Sequence, residues 1–309
     1  MTPMYISEQE VRAALTYDAL IPAIRQALID YSAGLVEQPA RVILRAGNAE
    51  GLRNGWFAVM PVIAGDVMGV KTVTFYPGNT ELGLHTHMAV VELLRRSTGE
   101  PLAVMDGRLI TEMRTAAVSA VTLAALAPVA AESLGILGSG VQARSHIRAL
   151  RMVRPELKEI RVWSRNRVNA ERLAEETGAR AVSVEEAAAA DVVLTVTASP
   201  DPVLKGHWLG ADALVLAVGA TGASLRELDD EAMLSSFVVA ESRSCAERES
   251  GDVRLSGAKV QAEIGEILSG SVAAPTGRIV FKSVGMAIED LVGARLVWEA
   301  RHGETISAT

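Results

Sequence analysis

Between residues 133 and 282 the chain alternates short runs of Val, Ile and Leu with segments of helical period, and few folds accept that alternation. It predicts strands over 133–137, 159–163, 181–183, 192–197, 213–218, 237–240 and 279–282, with helices over 141–153, 168–177 and 184–190. Such a succession is the pattern of a parallel sheet with right-handed crossovers. The first strand meets the first helix at Gly138-Ser139-Gly140-Val141-Gln142-Ala143. Gly138 permits a tight turn, Gly140 lets backbone approach a diphosphate, and Ala143 lets the helix pack closely on the sheet. The helix start adds unpaired N–H groups and a positive dipole end. Flanked by a strand and a helix, the motif predicts a dinucleotide site in a Rossmann unit, with Gly138, Ser139, Gly140, Val141 and Gln142 at the cofactor.

The end of the second strand selects the dinucleotide, because an acidic residue there pairs with ribose hydroxyls and repels a 2′-phosphate. This chain has Ser164-Arg165-Asn166-Arg167 instead. A hydroxyl followed by guanidinium groups binds a phosphate, so NADP(H) is the preferred cofactor and NAD(H) the alternative. The competing reading leaves Arg165 and Arg167 merely solvated. Thr197, Ser199 and Val218 fall at the carboxyl ends of later strands, where cofactors bind, although turn capping explains the first two equally well.

Upstream, 8–34 has the spacing of one or two amphipathic helices. Short β-rich runs at 42–44, 56–62, 70–76, 89–93 and 102–105 are separated by turn formers such as Pro77-Gly78-Asn79, which predicts an antiparallel sheet or open barrel. An Ala-rich helix follows 111. A final amphipathic helix over 283–301 is expected to pack back on the N-terminal region, which makes the nucleotide unit an insertion. The fold class is therefore α/β, with a Rossmann domain over 118–282 and an α+β domain, its sheet mostly antiparallel, over 1–117 with 283–309.

A length of 309 residues suits two domains. The net charge of −7 gives no general attraction to nucleic acid or anionic lipid, and neither is expected as a partner. The Arg-rich stretch 161–172 reads as a solvated helix start as readily as an anion site. Cys245 is the single cysteine, too few for an internal disulfide or a Cys-based zinc cluster. Residues 1–10 lack a signal-peptide pattern, so a cytoplasmic protein is expected. The apolar stretch 118–131 falls short of the roughly 20 residues of a membrane span and reads as a buried helix.

Arg41, Lys71 and Arg114 stand in apolar surroundings, where long cations are costly unless paired. Taken singly, each is ordinarily a surface or salt-bridge residue; together they suit a small carboxylate. His85 and His87 share a direction on an extended strand but lack a third ligand, so no metal is expected. His146 reads as a packing or hydrogen-bonding residue.

Several separated words in fixed order carry a resemblance: Gly69-Val-Lys71-Thr-Val-Thr-Phe-Tyr-Pro77-Gly-Asn79, Gly83-Leu84-His85-Thr86-His87, Asp106-Gly107, Thr111-Glu-Met-Arg114-Thr115-Ala116-Ala117, the Gly138 turn, and Phe281-Lys-Ser283-Val284-Gly285-Met-Ala-Ile-Glu289-Asp290. Over essentially its whole length the chain resembles the ornithine cyclodeaminase/mu-crystallin family. The resemblance implies a homodimer through the substrate domain and a small imino or amino acid as ligand. It implies a substrate carboxylate held by Arg41, Lys71 and Arg114 with Thr86 nearby, and Val284-Gly285 near the nicotinamide, with Gly285 on the substrate side. Thr115 joins the cofactor contacts. Cyclodeaminases of the family carry an aspartate where this chain has Thr221, and a neutral hydroxyl cannot pair with the second amino group of ornithine. The expected activity is therefore NAD(P)H-dependent reduction of a cyclic ketimine carboxylate of the pyrroline-2- or piperideine-2-carboxylate type, with Lys71 and Arg114 catalytic. The alternatives are an alanine dehydrogenase or another amino-acid dehydrogenase and, behind them, a cyclodeaminase or a non-catalytic NADPH-binding protein. Asp229 and Asp230 remain substitutes for the missing aspartate if the loop aligns differently.

Overall fold

The computed structural model describes residues 3–47 and 54–306, so the ends of the first expected domain, 1–2 and 307–309, lie outside the described residues. The chain divides into two compact units, Met1–Arg114 with Met286–Thr309, and Thr115–Gly285.

In the first unit seven strands form one open sheet: β1 (Met4–Ile6), β2 (Val36–Glu37), β3 (Val42–Ala46), β4 (Gly55–Ala64), β5 (Val67–Phe75), β6 (His87–Arg95) and β7 (Pro101–Asp106). Their order is β1-β7-β6-β5-β4-β2, with β3 also paired to β4. Among the described residues only β1 runs parallel to its neighbour; the other pairs are antiparallel. The alternatives of sheet and barrel thus resolve to an open sheet. Along β5 the strand period buries Val67, Gly69, Lys71 and Val73 on one face. A lysine thereby occupies a core-facing position in the middle of an apolar strand.

Helix Ala287–His302 packs on β4, β5 and β6 and on helix Tyr17–Ser32. It comes close to the sheet at Gly69, where a Cβ atom would collide with the carbonyl oxygen of Glu92 and stand 3.0 Å from Leu291 Cδ1. Helix Tyr17–Ser32 begins at Thr16, whose hydroxyl accepts from the Ala19 N–H, and buries Leu20, Ile24, Ala27 and Leu28. The final helix belongs to the same compact unit as the N-terminal strands.

The second unit holds β8 (Ser133–Leu137), β9 (Glu159–Trp163), β10 (Arg180–Ala181), β11 (Val192–Thr195), β12 (Leu214–Ala217), β13 (Phe237–Ala240), β14 (Ala262–Glu263) and β15 (Ile279–Lys282). They form a fully parallel sheet in the order β10-β9-β8-β11-β12-β15-β13-β14. Every residue of β8, β11, β12 and β15 is buried, which is why these strands read as continuous apolar runs instead of alternating ones.

Several boundaries move. The strand expected at 181–183 is Arg180–Ala181, because the Ser183 hydroxyl instead caps helix Val184–Ala188 by accepting from the Glu186 N–H. The run expected over 192–197 leaves the sheet after Thr195, and the helix expected from 283 starts at Ala287. Both shifts trace to buried carboxylates that draw off backbone N–H groups, described below. The helix expected after 111 spans Gly107–Leu126, ends before Pro128 and is mostly buried, although by length and composition alone it could cross a bilayer. Strands β1, β2 and β14, two or three residues each, were not anticipated.

Candidate active site

In the second unit the strand order reverses between β8 and β11, and ligands of such sheets bind at the carboxyl ends of strands at this reversal. Gly138 leaves β8 with φ 126°, and a Cβ there would lie 2.7 Å from the carbonyl oxygen of Val196, so only glycine lets the two crossings touch. Ser139 Oγ donates to Ser164 Oγ at 2.9 Å, tying the turn to the end of β9. Helix Val141–Val153 starts from Gly140, where an added Cβ would meet nothing within 4 Å. Gly140 thus faces open space at the helix start, and Gln142 Oε1 is buried without a hydrogen-bond partner, an acceptor that a ribose hydroxyl would satisfy. These residues fit a dinucleotide.

His146 lies one turn further on, fully buried between the Gln142 carbonyl (2.8 Å from Nδ1) and Ser119 Oγ (3.0 Å from Nε2). Burial pushes its pKa down to about 4, so it is a neutral packing residue. Arg165 is exposed beyond β9. The Asn166 side chain caps helix Arg167–Thr177 by accepting from the Val168 N–H at 3.1 Å. Arg167 is 84% exposed and pairs with Glu171 at 2.8 Å.

Beyond β11 and β12 lies a group of charges that sequence reasoning missed. Glu227 is fully buried, and its carboxylate accepts from Thr195 Oγ1 (2.8 Å), Thr197 N (2.5 Å), Thr197 Oγ1 (2.7 Å), Gly219 N (2.8 Å) and Ala220 N (3.1 Å). Burial pushes its carboxyl up, and Lys282 and the Thr197 donors oppose that. Asp252 Oδ1 accepts from the Glu227 and Leu228 N–H groups, while Oδ2 lies 2.9 Å from Lys282 Nζ. Glu241, at the end of β13, accepts from Ser283 Oγ (2.5 Å), Val284 N (3.0 Å) and Gly285 N (2.8 Å), and Gly285 has φ 76°. The Thr197 hydroxyl is thus committed to Glu227, Ser199 caps a short turn by accepting from the Asp201 N–H, and Val218 is buried with its N–H on the Thr195 carbonyl. Thr221 is exposed. Asp229 caps helix Asp230–Leu234 by accepting from the Ala232 N–H, and Asp230 pairs with Arg226 at 2.6 Å. Both aspartates therefore already have local structural partners.

In the first unit, Lys71 and Arg114 come together with two carboxylates of helix Ala287–His302. Lys71 Nζ lies 2.5 Å from Asp290 Oδ2; Arg114 Nε lies 3.0 Å from Asp290 Oδ1 and Arg114 Nη1 2.5 Å from Glu289 Oε2. The Thr111 hydroxyl adds a donor to Asp290 at 3.4 Å. All five residues are buried. Burial pushes the Lys71 pKa down to about 8; Asp290 opposes that and the Arg114 and Arg41 charges reinforce it. Burial would push Asp290 up, but Arg114 and Lys71 outweigh it and hold the carboxyl below its ordinary value. Arg41 is half-buried just before β3, and Thr115 is buried next to Arg114 on the same helix. Thr86 is half-buried in the loop before β6, its carbonyl accepting from the Tyr76 N–H at 2.8 Å. The histidine pair needs correction: His87 begins β6, but His85 precedes the strand, exposed, with its carbonyl held by Asn79 Nδ2. Burial, reinforced by Lys71 and Arg114, pushes the His87 pKa down to about 4. Among the described residues no cluster of three metal-ligating side chains occurs. Glu289 and Asp290 stood in a quoted motif without a role; the signal for them was the need of a buried lysine for a counter-charge.

The model of the ornithine cyclodeaminase/mu-crystallin family matches residues 1–305. The chain belongs to that family. It is 42% identical to the ketimine reductase mu-crystallin of Mus musculus over 96% of this chain and 97% of that one. Its fold matches that of Thermococcus litoralis Δ1-pyrroline-2-carboxylate reductase in complex with NADH and L-proline, with TM-score 0.91, 32% identity, and coverage of 97% of this chain and 98% of the other. It also matches an archaeal alanine dehydrogenase dimer with bound NAD, with TM-score 0.92, 29% identity, and coverage of 98% and 97%. Each of these matches extends over both units of the chain.

Proposed function

We propose that this family member is an NAD(P)H-dependent oxidoreductase that reduces a small cyclic ketimine carboxylate, of the pyrroline-2- or piperideine-2-carboxylate type, to the corresponding cyclic amino acid. The observation that carries this reading is the buried Lys71–Arg114–Glu289–Asp290 cluster, where a strand lysine and a helix arginine meet two adjacent carboxylates of another helix. The names of the mouse and Thermococcus relatives support the substrate class, and the open Gly140 cradle supports the dinucleotide.

A reduced nicotinamide, when bound, supplies the hydride that adds to the imine carbon. In this reading Met1–Arg114 with Met286–Thr309 is the substrate unit and Thr115–Gly285 the cofactor unit. Arg114 and Arg41 take the substrate carboxylate, which fixes the C=N group in one orientation. Lys71 keeps a proton on the imine nitrogen, so the nitrogen ends as an amine when the carbon gains hydride; its lowered pKa suits that transfer near neutral pH. Burial excludes the water that would hydrolyse the imine. Thr86 and Gly285 complete the substrate contacts. Thr115, Val218 and Val284 complete the cofactor contacts, and Ser164 with Arg165 favours NADP(H) over NAD(H).

We assign the exposed Val42, Ile43 and Leu44 of β3, at 56%, 52% and 57% exposure, to a homodimer interface, since an apolar edge of this kind is ordinarily covered. A cytoplasmic placement is part of this reading, and the free Cys245 is compatible with a reducing compartment. The archaeal alanine dehydrogenase keeps pyruvate-derived imine as a second reading, since it presents the same carboxylate and C=N group. Oxidation of NADPH and NADH should be followed with pyrroline-2-carboxylate, piperideine-2-carboxylate, pyruvate plus ammonia, and ornithine. Turnover of a cyclic imine above the others is expected; turnover only with pyruvate plus ammonia, or none, rejects the ketimine reading.

A further inference from the structure

We propose that Glu227 is a positioning residue that fixes the nicotinamide half of the coenzyme by locking two loops at the carboxyl edge of the parallel sheet. The inference rests on the dinucleotide reading above. A doubly wound sheet binds one mononucleotide half on each side of its reversal point. Ser164 and Arg165 lie beyond β9, on one side of that point, and β11 and β12 lie on the other. The loops leaving β11 and β12 are therefore the ones presented to the nicotinamide half.

The Glu227 carboxylate joins those loops directly. Its five donors come from Thr195 and Thr197 at the end of β11 and from Gly219 and Ala220 after β12. The fit requires Gly219, because a Cβ there would lie 2.6 Å from Glu227 Oε1 and would collide with Thr197 backbone. Glu227 is itself anchored, since Asp252 takes its N–H at 2.7 Å and reaches Lys282 at the end of β15. One chain of buried charge thus crosses the ends of three adjacent strands. Backbone N–H groups that point inward to Glu227 cannot bind ligand, so its role is to set where the loops stand. An uncharged side chain would suffice to fill the space; five convergent donors require a carboxylate.

Glu227→Gln tests this, because its amide turns one acceptor oxygen into an NH2 group facing donors, whichever way it is oriented. Binding of NADPH and of 2′-phosphoadenosine diphosphate ribose, which lacks the nicotinamide, is measured by titration with the intact chain. The expected split is a loss of about tenfold or more in NADPH affinity with the fragment held within about twofold, and a lower kcat. Val193→Ala, in the core of the same sheet, serves as the control for lost stability and should leave both affinities unchanged. If Glu227→Gln does not fold, Thr195→Val removes a single hydroxyl donor and should give the same split at about threefold. Equal weakening of both ligands, no change in either, or the same split in Val193→Ala overturns the proposal. Failure of the unaltered chain to bind either NADPH or NADH would instead overturn the dinucleotide reading, and this inference with it.

Discussion

The two units each bury a cluster of charge, and they do so in opposite ways. Around Lys71 and Arg114 the partners are side chains on both sides of every pair: Asp290 and Glu289 against the ammonium and the guanidinium. Around Glu227 and Glu241 most donors are backbone N–H groups, and the remaining charges, Asp252 and Lys282, close on each other. Side-chain pairs can exchange one carboxylate for another, which is what the proposed function requires of the first cluster when a substrate anion binds. A carboxylate holding backbone cannot let go without the loop moving, so the second cluster rigidifies. On the proposed function, the kind of partner and not burial alone separates the two clusters.

The largest effect expected from this contrast is on catalysis. Lys71→Met should lower turnover by about 10²- to 10⁴-fold while leaving the fold intact, because Asp290 keeps Arg114 as a partner. Steady-state kinetics together with a thermal melt check it; unchanged turnover would remove Lys71 from proton transfer and make both clusters structural. The pH profile sharpens the same point. With a pKa of about 8, Lys71 is charged below that pH and loses its proton above it, so kcat/KM should be level below about pH 8 and fall as pH rises. Lys71→Arg should move that limb upward if the lysine is the group that titrates.

Next in size is the closed cluster. Asp252→Asn leaves Lys282 buried without its counter-charge and should destabilise the protein by about 3–5 kcal/mol in denaturant unfolding. A loss below about 1 kcal/mol would mean that the backbone N–H groups, not the ion pair, account for the conservation of shape there. The smallest effect belongs to the exposed cations beyond β9. Arg165→Ala should reduce the ratio of NADPH to NADH specificity by about tenfold. Arg167→Ala should change it less, because Arg167 already pairs with Glu171 on the surface. Equal kinetics with both coenzymes before and after substitution would reject the phosphate role of this segment.

Much of the architecture was legible because its physical causes are local. Parallel strands buried on both faces must be continuously apolar, and a glycine turn between strand and helix has few other uses, so the second unit and its Gly138 turn could be read directly. Lys71 stood out because a lysine at a core-facing strand position needs a counter-charge. The partners that answer it, Glu289 and Asp290, come from the far end of the chain and could not be inferred from spacing. Thr197 and Asn166 show the limit from the other side: their spacing gave no sign that their side chains satisfy Glu227 and a helix start.

The order of residues alone therefore determined the longer strands and helices and where a dinucleotide motif sits, since periodicity, glycine placement and helix capping act over a few residues. Tertiary structure decided which charges meet. Lys71 and Asp290, or Glu227 and the loops after β11 and β12, are brought together only when helix and sheet pack, and only then does removal from water make their pairing obligatory.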